Sequence, residues 1–240
     1  MQKKLYRVEH NKIDLNKIYD TRNRSYGQSL GQNLDLNSFN HFFNKYFEVM
    51  LKNNISVDFL VSLTHQIHAL GNIYTKILNE AIDDQGYINI YKLTKNENHK
   101  NQRILVSYIN YFIQSFNEDN KFPYFNDGSI LWEFILEFVR LNLYNDSTPR
   151  LTSVFFFKDI KSCDYHIQKH LNGFGIKYEV EIIDEISHFE GDMTIIDNVE
   201  NQIKFDDLID EFGDYWSGKT TSEPIKEIVF QGTYKYIKQL

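Results

Sequence analysis

Cysteine is nearly absent from this chain: Cys163 is the only one in 240 residues. A single thiol excludes an internal disulfide and any zinc site built on several cysteines. Proline is almost as scarce. Pro123, Pro149 and Pro224 are the only three, and each falls where the hydrophobic pattern changes. No apolar run reaches membrane-spanning length; Ile130 to Val139 is short and broken by Glu133 and Glu137. Met1-Gln-Lys-Lys leads straight into a strand-like run without an apolar signal segment. The expectation is a cytoplasmic protein with no membrane partner. An excess of positive charge is missing too. A formal net charge of −7 argues against a protein that coats nucleic acid, because neutralising phosphates takes clustered Lys and Arg. Arg22, Arg24, Arg140 and Arg150 make a local basic patch only if the fold gathers them. No Gly-x-Ser-x-Gly elbow surrounds Ser153, no phosphate-binding glycine loop is expected, and Gly173-Phe-Gly175 reads as a helix stop and turn.

What the chain does have is aromatic bulk: 19 Phe, 16 Tyr and 2 Trp, enough to dominate a core and still leave Tyr hydroxyls at its edge. The length fits one domain, or a core carrying one sizeable insertion. Leu5 to Val8 is a short strand candidate, and 16–34 is polar and reads as loop. From 35 to 145 the apolar spacing is helical. One helix there carries Phe39, Phe42, Phe43, Tyr46, Phe47 and Met50. A second carries Leu60, Leu63, Ile67, Leu70, Ile73 and Ile77. Further helices are predicted over 101–116 and from Ser129 to Val139, with a marginal strand from Tyr87 to Leu93.

The pattern switches after Pro149. Leu151 to Phe157 is β-branched and aromatic, as a buried strand requires. Asp159 to Leu171 predicts a helix, Lys177 to Ile183 a half-buried strand, Met193 to Ile196 another strand, and Asp206 to Trp216 an acidic helix. Glu227-Ile-Val-Phe, a turn at Gly232 and Thr233 to Ile237 predict a closing hairpin. The organisation expected is a single domain over 1–240. Its parts are a first core strand and loop (1–34), a helical insertion (35–145) and a β-rich core (146–240).

The histidines are the first candidates for chemistry. His166 and His170 share one helix face, as a zinc site needs, but no Glu follows His166 in the metalloprotease manner and Cys163 is the lone thiol. They read as ordinary polar residues, and no metal is expected. His65 and His68 read the same way.

Three other segments form a pattern. Leu5-Tyr-Arg7-Val is a short strand presenting an arginine. Thr152-Ser153-Val-Phe155-Phe bears hydroxyls followed by aromatics. Glu227-Ile-Val-Phe-Gln-Gly-Thr-Tyr-Lys-Tyr is a strand led by a glutamate. In order and spacing these resemble the arginine–serine–glutamate class of ADP-ribosyltransferases. Pro149-Arg150-Leu-Thr-Ser153 and Glu190-Gly-Asp-Met are also similar to bacterial and phage domains of that kind. The resemblance implies an α+β fold with a split β-sheet core and a large N-terminal helical insertion. It further implies an enzyme that takes NAD as substrate and cleaves its nicotinamide–ribose bond. Glu227 then stabilises the oxocarbenium-like ribose, much as glycosidase carboxylates do. Ser153 orients Glu227, and Arg7, or its rival Arg150, grips the pyrophosphate. Thr152 and Phe155 line the cofactor strand. Tyr215 and Trp216 lie in the segment that meets the target.

One departure narrows the target. Arginine-specific members carry an acidic residue two positions before the glutamate, whereas this chain has Ile225. Glu223 is four residues upstream, about 13 Å along a strand, too far to replace it. The acceptor implied is a nucleobase, RNA, DNA or a protein group other than arginine. The setting implied is a toxin or phage-defence enzyme with an antitoxin or regulatory partner. The alternative is a non-catalytic interaction or immunity protein that keeps the fold.

Overall fold

Long alternating runs near the C-terminus organise the chain. The computed structural model describes residues 4–15, 17–29, 47, 56, 82–89, 91, 92, 95, 97, 100–107, 129–200 and 203–240. The expected helix carrying Phe39 to Met50, apart from Phe47, the one carrying Leu60 to Ile77, most of 101–116, and His65 and His68 lie outside them. The architecture is α+β. In chain order the elements are β1 (Leu5–Glu9), β2 (Ile18–Asp20), α1 (Tyr26–Ser29), β3 (Tyr87–Asn89), β4 (Arg103–Leu105) and α2 (Ser129–Leu143). They continue with β5 (Val154–Phe157), α3 (Ile160–His170), β6 (Ile176–Asp192), α4 (Met193–Asp197), α5 (Phe205–Trp216) and β7 (Lys226–Gln239). Among the described residues no helix is long and apolar enough to cross a membrane.

The chain divides into two compact units, Met1–Leu36 with Val139–Asn198 and Glu211–Leu240, and Asn37–Phe138 with Val199–Asp210. The first contains a five-stranded antiparallel sheet in the order β2-β7-β5-β1-β6. Because β6 also pairs with β7, strands β7-β5-β1-β6 close on themselves as a ring. Alternation then sorts side chains to two faces. Val154, Phe156, Tyr178, Val180, Ile228, Phe230, Tyr234 and Tyr236 form the inner cluster. Each Val, Ile and Phe among them contributes roughly 1.5–3 kcal/mol by leaving water. On the outer face Val8, Phe157, Cys163, Ile167, Met193 and Ile225 pack together, with α3 supplying Cys163 and Ile167. Burial pushes the Cys163 thiol up to about 12, so it is an apolar filler rather than a nucleophile. The second unit contains the β3–β4 pair and a cluster of Phe47, Phe138 and Phe205, with ring centroids 5.4 to 6.5 Å apart.

Several local expectations are corrected. Met193 to Ile196 is helix, not strand, because the Asp192 carboxylate accepts the Thr194 N–H at 3.0 Å and caps a helical turn. The closing segment is one continuous strand, not a hairpin. Gly232 (φ 145°) does not turn the chain; it lets β7 approach Asp184, whose carbonyl oxygen lies 2.1 Å from where a Cβ would stand. The irregularity is taken up by β6, whose register shifts at Ile182/Asp184 and Glu185/Ser187. Strand β6 itself runs to Asp192, well past Ile183. Arg103 to Leu105 is a strand paired with β3 rather than helix, and 18–20 and 26–29 within the expected loop are ordered as β2 and α1.

His166 makes a testable contribution. Its ring packs 5.2 Å from Phe157 and 5.1 Å from His170. Burial, then the charges of His170, Arg7 and His10, push its pKa down to about 4, against the opposing pull of Asp197. A histidine depressed in the folded state stabilises fully above its unfolded pKa, and that stability is lost as pH falls, since only the unfolded chain takes up the proton. Between about pH 6.5 and 4 the fold should lose about 2 kcal/mol on this account, after discounting for partial exposure. Urea titrations of the wild type and His166→Phe across that window check it: the variant's curve should be flatter.

Candidate functional site

The turn before β5 delivers the first side chain. Ser153 donates its hydroxyl to the Pro149 carbonyl at 2.6 Å, and its N–H bonds the Arg150 carbonyl at 3.1 Å. That tight turn holds Arg150 against the sheet. The Arg150 guanidinium sits over the Phe155 ring at 4.6 Å and near the Tyr215 ring at 5.5 Å, a stacked arrangement that suits a planar cation. Its Nη1 donates to the Tyr215 hydroxyl at 2.6 Å and forms a short ion pair with Glu227 Oε1. Tyr215 completes the triangle, donating to the same Oε1 at 2.8 Å. Both donors therefore converge on one oxygen of Glu227. Arg150 is 7% exposed and Glu227 2%.

Each partner comes from a different element. Glu227 stands at the second position of β7, opposite Phe157 on one side and Gly191 on the other. Tyr215 comes from the last turn of α5, with its ring 5.3 Å from Phe189 and 5.0 Å from Trp216. It fits because residue 191 is glycine: a Cβ there would lie 2.2 to 2.8 Å from three atoms of the Tyr215 ring and hydroxyl.

Of the residues expected to act together, Arg150, Phe155, Tyr215 and Glu227 do meet. Ser153 supports Arg150 through the turn instead of touching Glu227. Thr152 accepts from the Gln231 side-chain amide at 2.7 Å, and Trp216 packs on Phe189 at 4.9 Å. Tyr215 and Trp216 are buried, so neither is an exposed platform for a target.

Arg7 belongs elsewhere. It pairs in register with Tyr178 of the inner cluster, while its neighbour Val8 packs in the outer one alongside Phe157, the cross-strand partner of Glu227. Arg7 and Glu227 thus project from opposite faces of the sheet. Arg7 Nε bonds Glu9 at 2.6 Å and the Tyr236 hydroxyl at 3.1 Å, and Nη1 bonds the Phe155 carbonyl at 3.1 Å. Tyr236 also donates to Glu9 by a short bond, and Arg24 holds the second Glu9 oxygen at 2.9 Å. Burial works against the Glu9 charge, but Arg7 and the Tyr236 and Arg24 contacts outweigh it and hold the carboxyl below its usual range. Burial likewise pushes the Tyr236 hydroxyl far upward, so it is a permanent donor.

Gly191, Phe189, Glu9 and Tyr236 were not singled out by sequence reasoning. Gly191 lies inside the Glu190-Gly-Asp-Met run and Tyr236 closes the Glu227 run, whereas Phe189 and Glu9 carry no such signal.

Chemically this is a buried arginine–tyrosine–glutamate triangle on the outer face of an antiparallel sheet. Residues 18–240 match the model of the family described as a protein of unknown function, DUF2441, and the chain belongs to that family. Arg150, Tyr215 and Glu227 all fall within the matched span, and Arg7 falls outside it. No curated protein matches the chain.

Proposed function

We propose that this chain is an NAD-dependent ADP-ribosyltransferase whose working residues are Glu227, Arg150 and Tyr215. The observation that carries the reading is the convergence of Arg150 and Tyr215 on Oε1 of Glu227, at the head of the last core strand. In this proposal the ring of strands is an ADP-ribosyltransferase-like split sheet, and 35–145 is its helical insertion. Of the two candidate arginines, Arg150 shares a face with Glu227 and is the phosphate ligand. The pyrophosphate offers Arg150 a bidentate anion in exchange for Oε1, and the freed carboxylate takes a ribose hydroxyl. The bond from the anomeric carbon to nicotinamide then breaks, with its electron pair leaving on nicotinamide. Glu227 stabilises the oxocarbenium-like ribose, and a nucleophile on the acceptor attacks and loses its proton. With Ile225 before the glutamate, the acceptor is a nucleobase, RNA, DNA or a non-arginine protein group. A cytoplasmic toxin or defence enzyme, with a regulatory partner, is the setting this chemistry suits.

Nicotinamide release from NAD, followed by chromatography, tests the reading. Glu227→Gln should lower release per folded molecule by about 100-fold or more, as loss of a transition-state charge does. Retained release in this variant would falsify the role of Glu227. A second reading, a binding or immunity protein without NAD chemistry, is favoured by the near-complete burial of Glu227 and Arg150. It predicts no nicotinamide release and no thermal shift with NAD.

A further inference from the structure

The Glu190-Gly-Asp-Met run contains a side chain that the triangle does not use. Asp192 is 0% exposed, an unusual place for a carboxylate unless its oxygens are bonded. They are. Oδ1 accepts the N–H groups of Thr194 and Ile225, both at 3.0 Å. Oδ2 accepts the N–H and the hydroxyl of Thr221, both at 2.8 Å. Burial opposes the charged form, but the Thr221 and Thr194 donors outweigh it and hold the carboxyl below its usual range.

The position of these donors gives the network its consequence. Thr221 and Ile225 lie in the connection between α5 and β7, which leaves Tyr215-Trp216 and arrives at Glu227. Ile225 is held at both ends, its N–H also reaching the Thr194 hydroxyl at 3.2 Å and its carbonyl accepting the Met193 N–H at 2.9 Å. In the β6–β7 register Asp192 stands opposite Lys226 and Gly191 opposite Glu227. Asp192 therefore fixes where β7 begins, one residue before Glu227, while its neighbour Gly191 admits the Tyr215 ring.

We propose that Asp192 is a positioning residue for the Arg150–Tyr215–Glu227 triangle, tying the connection that joins Tyr215 to Glu227 so that both reach Arg150 in one register. The kinetic arm of the test rests on the ADP-ribosyltransferase reading; the labelling arm does not. Asp192→Asn keeps the size and replaces one acceptor oxygen with a donor. With the new amide toward Thr221, whose hydroxyl can turn to accept, the Thr221 N–H bond is lost. With it toward Thr194 and Ile225, both N–H bonds are lost. Thr221→Val is the milder variant and removes a single hydroxyl.

Glu227 is probed with a water-soluble carbodiimide and glycine ethyl ester, read by peptide mass spectrometry. Asp192→Asn should raise its labelling about fivefold, as local opening exposes the carboxylate. It should lower kcat for nicotinamide release about tenfold or more, with KM for NAD moving less than about threefold, since geometry rather than binding is lost. Thr221→Val should shift both readouts in the same direction by less. Wild-type labelling and wild-type kcat per folded molecule in Asp192→Asn overturn the proposal, whatever happens to the melting temperature. If that variant fails to fold, unchanged labelling in Thr221→Val overturns it. A wild type that releases no nicotinamide, with labelling still raised in Asp192→Asn, sinks the enzyme reading and leaves the positioning role standing.

Discussion

Arg150→Met should lower the unfolding free energy by about 3–5 kcal/mol in urea titrations, because it strands a buried carboxylate without its partner. The Glu227 carboxylate is 2% exposed, so water cannot take over the lost bond. Tyr215 remains as a donor at 2.8 Å, but one neutral donor does not balance a charge removed from solvent. The guanidinium also covers the Phe155 ring at 4.6 Å, and methionine restores that packing while leaving the charge unmet. The double variant Arg150→Met with Glu227→Gln removes both charges and should recover at least about half of the loss, the pattern expected of a buried ion pair. No recovery in the double variant would mean that packing, rather than charge, dominates at this position.

Gly191→Ala should cost about 3 kcal/mol, the upper part of the range for overpacking. A Cβ at 191 would stand 2.2 Å from one Tyr215 ring carbon and 2.8 Å from its hydroxyl oxygen. The ring has little room to yield, since Phe189 and Trp216 pack against it at 5.3 and 5.0 Å. The Tyr215 hydroxyl moves with the ring, so its bonds to Arg150 and Glu227 should weaken together. Repeating the substitution in a Tyr215→Leu background separates clash from backbone effects. There Gly191→Ala should cost less than about 1 kcal/mol, as an unobstructed change at a strand position does. A full penalty in that background would place the cost in the backbone instead of the ring.

Much of the local structure was legible. The switch from helical spacing to β-branched and aromatic runs after Pro149 located β5, α3, α5 and the start of β6. These carry strong periodicity and clear stops, such as Asn172-Gly173 with both residues at positive φ. The failures fall where a tertiary partner outweighed a local signal. Gly232 looked like a turn because glycine usually marks one, yet β6 lies alongside and holds β7 extended through it. Met193 to Ile196 looked like a strand by its β-branched residues, yet the Asp192 carboxylate bonds the Thr194 N–H and turns the chain.

The site divides in the same way. Glu227 and Arg150 were named from the motifs around them, and Phe155 from its strand. Pairing Glu227 with Arg150 instead of Arg7 was beyond sequence, because strand alternation sends Arg7 to the inner face, where Glu9 and Tyr236 hold it.

By itself, then, the amino-acid sequence determined the class and order of β5, α3, α5 and the start of β6, and it singled out the Glu227 strand, with Arg7 and its rival Arg150, as candidates for chemistry. Those properties depend on side-chain periodicity and on short-range hydrogen bonds, which neighbouring residues dictate. Only the tertiary structure decided which charges meet. That depends on strand register and on which face a side chain takes, and a shift of one residue in pairing reverses the answer. The ring closed by β6 and β7 sets that register, and with it the contact of Arg150, Tyr215 and Glu227.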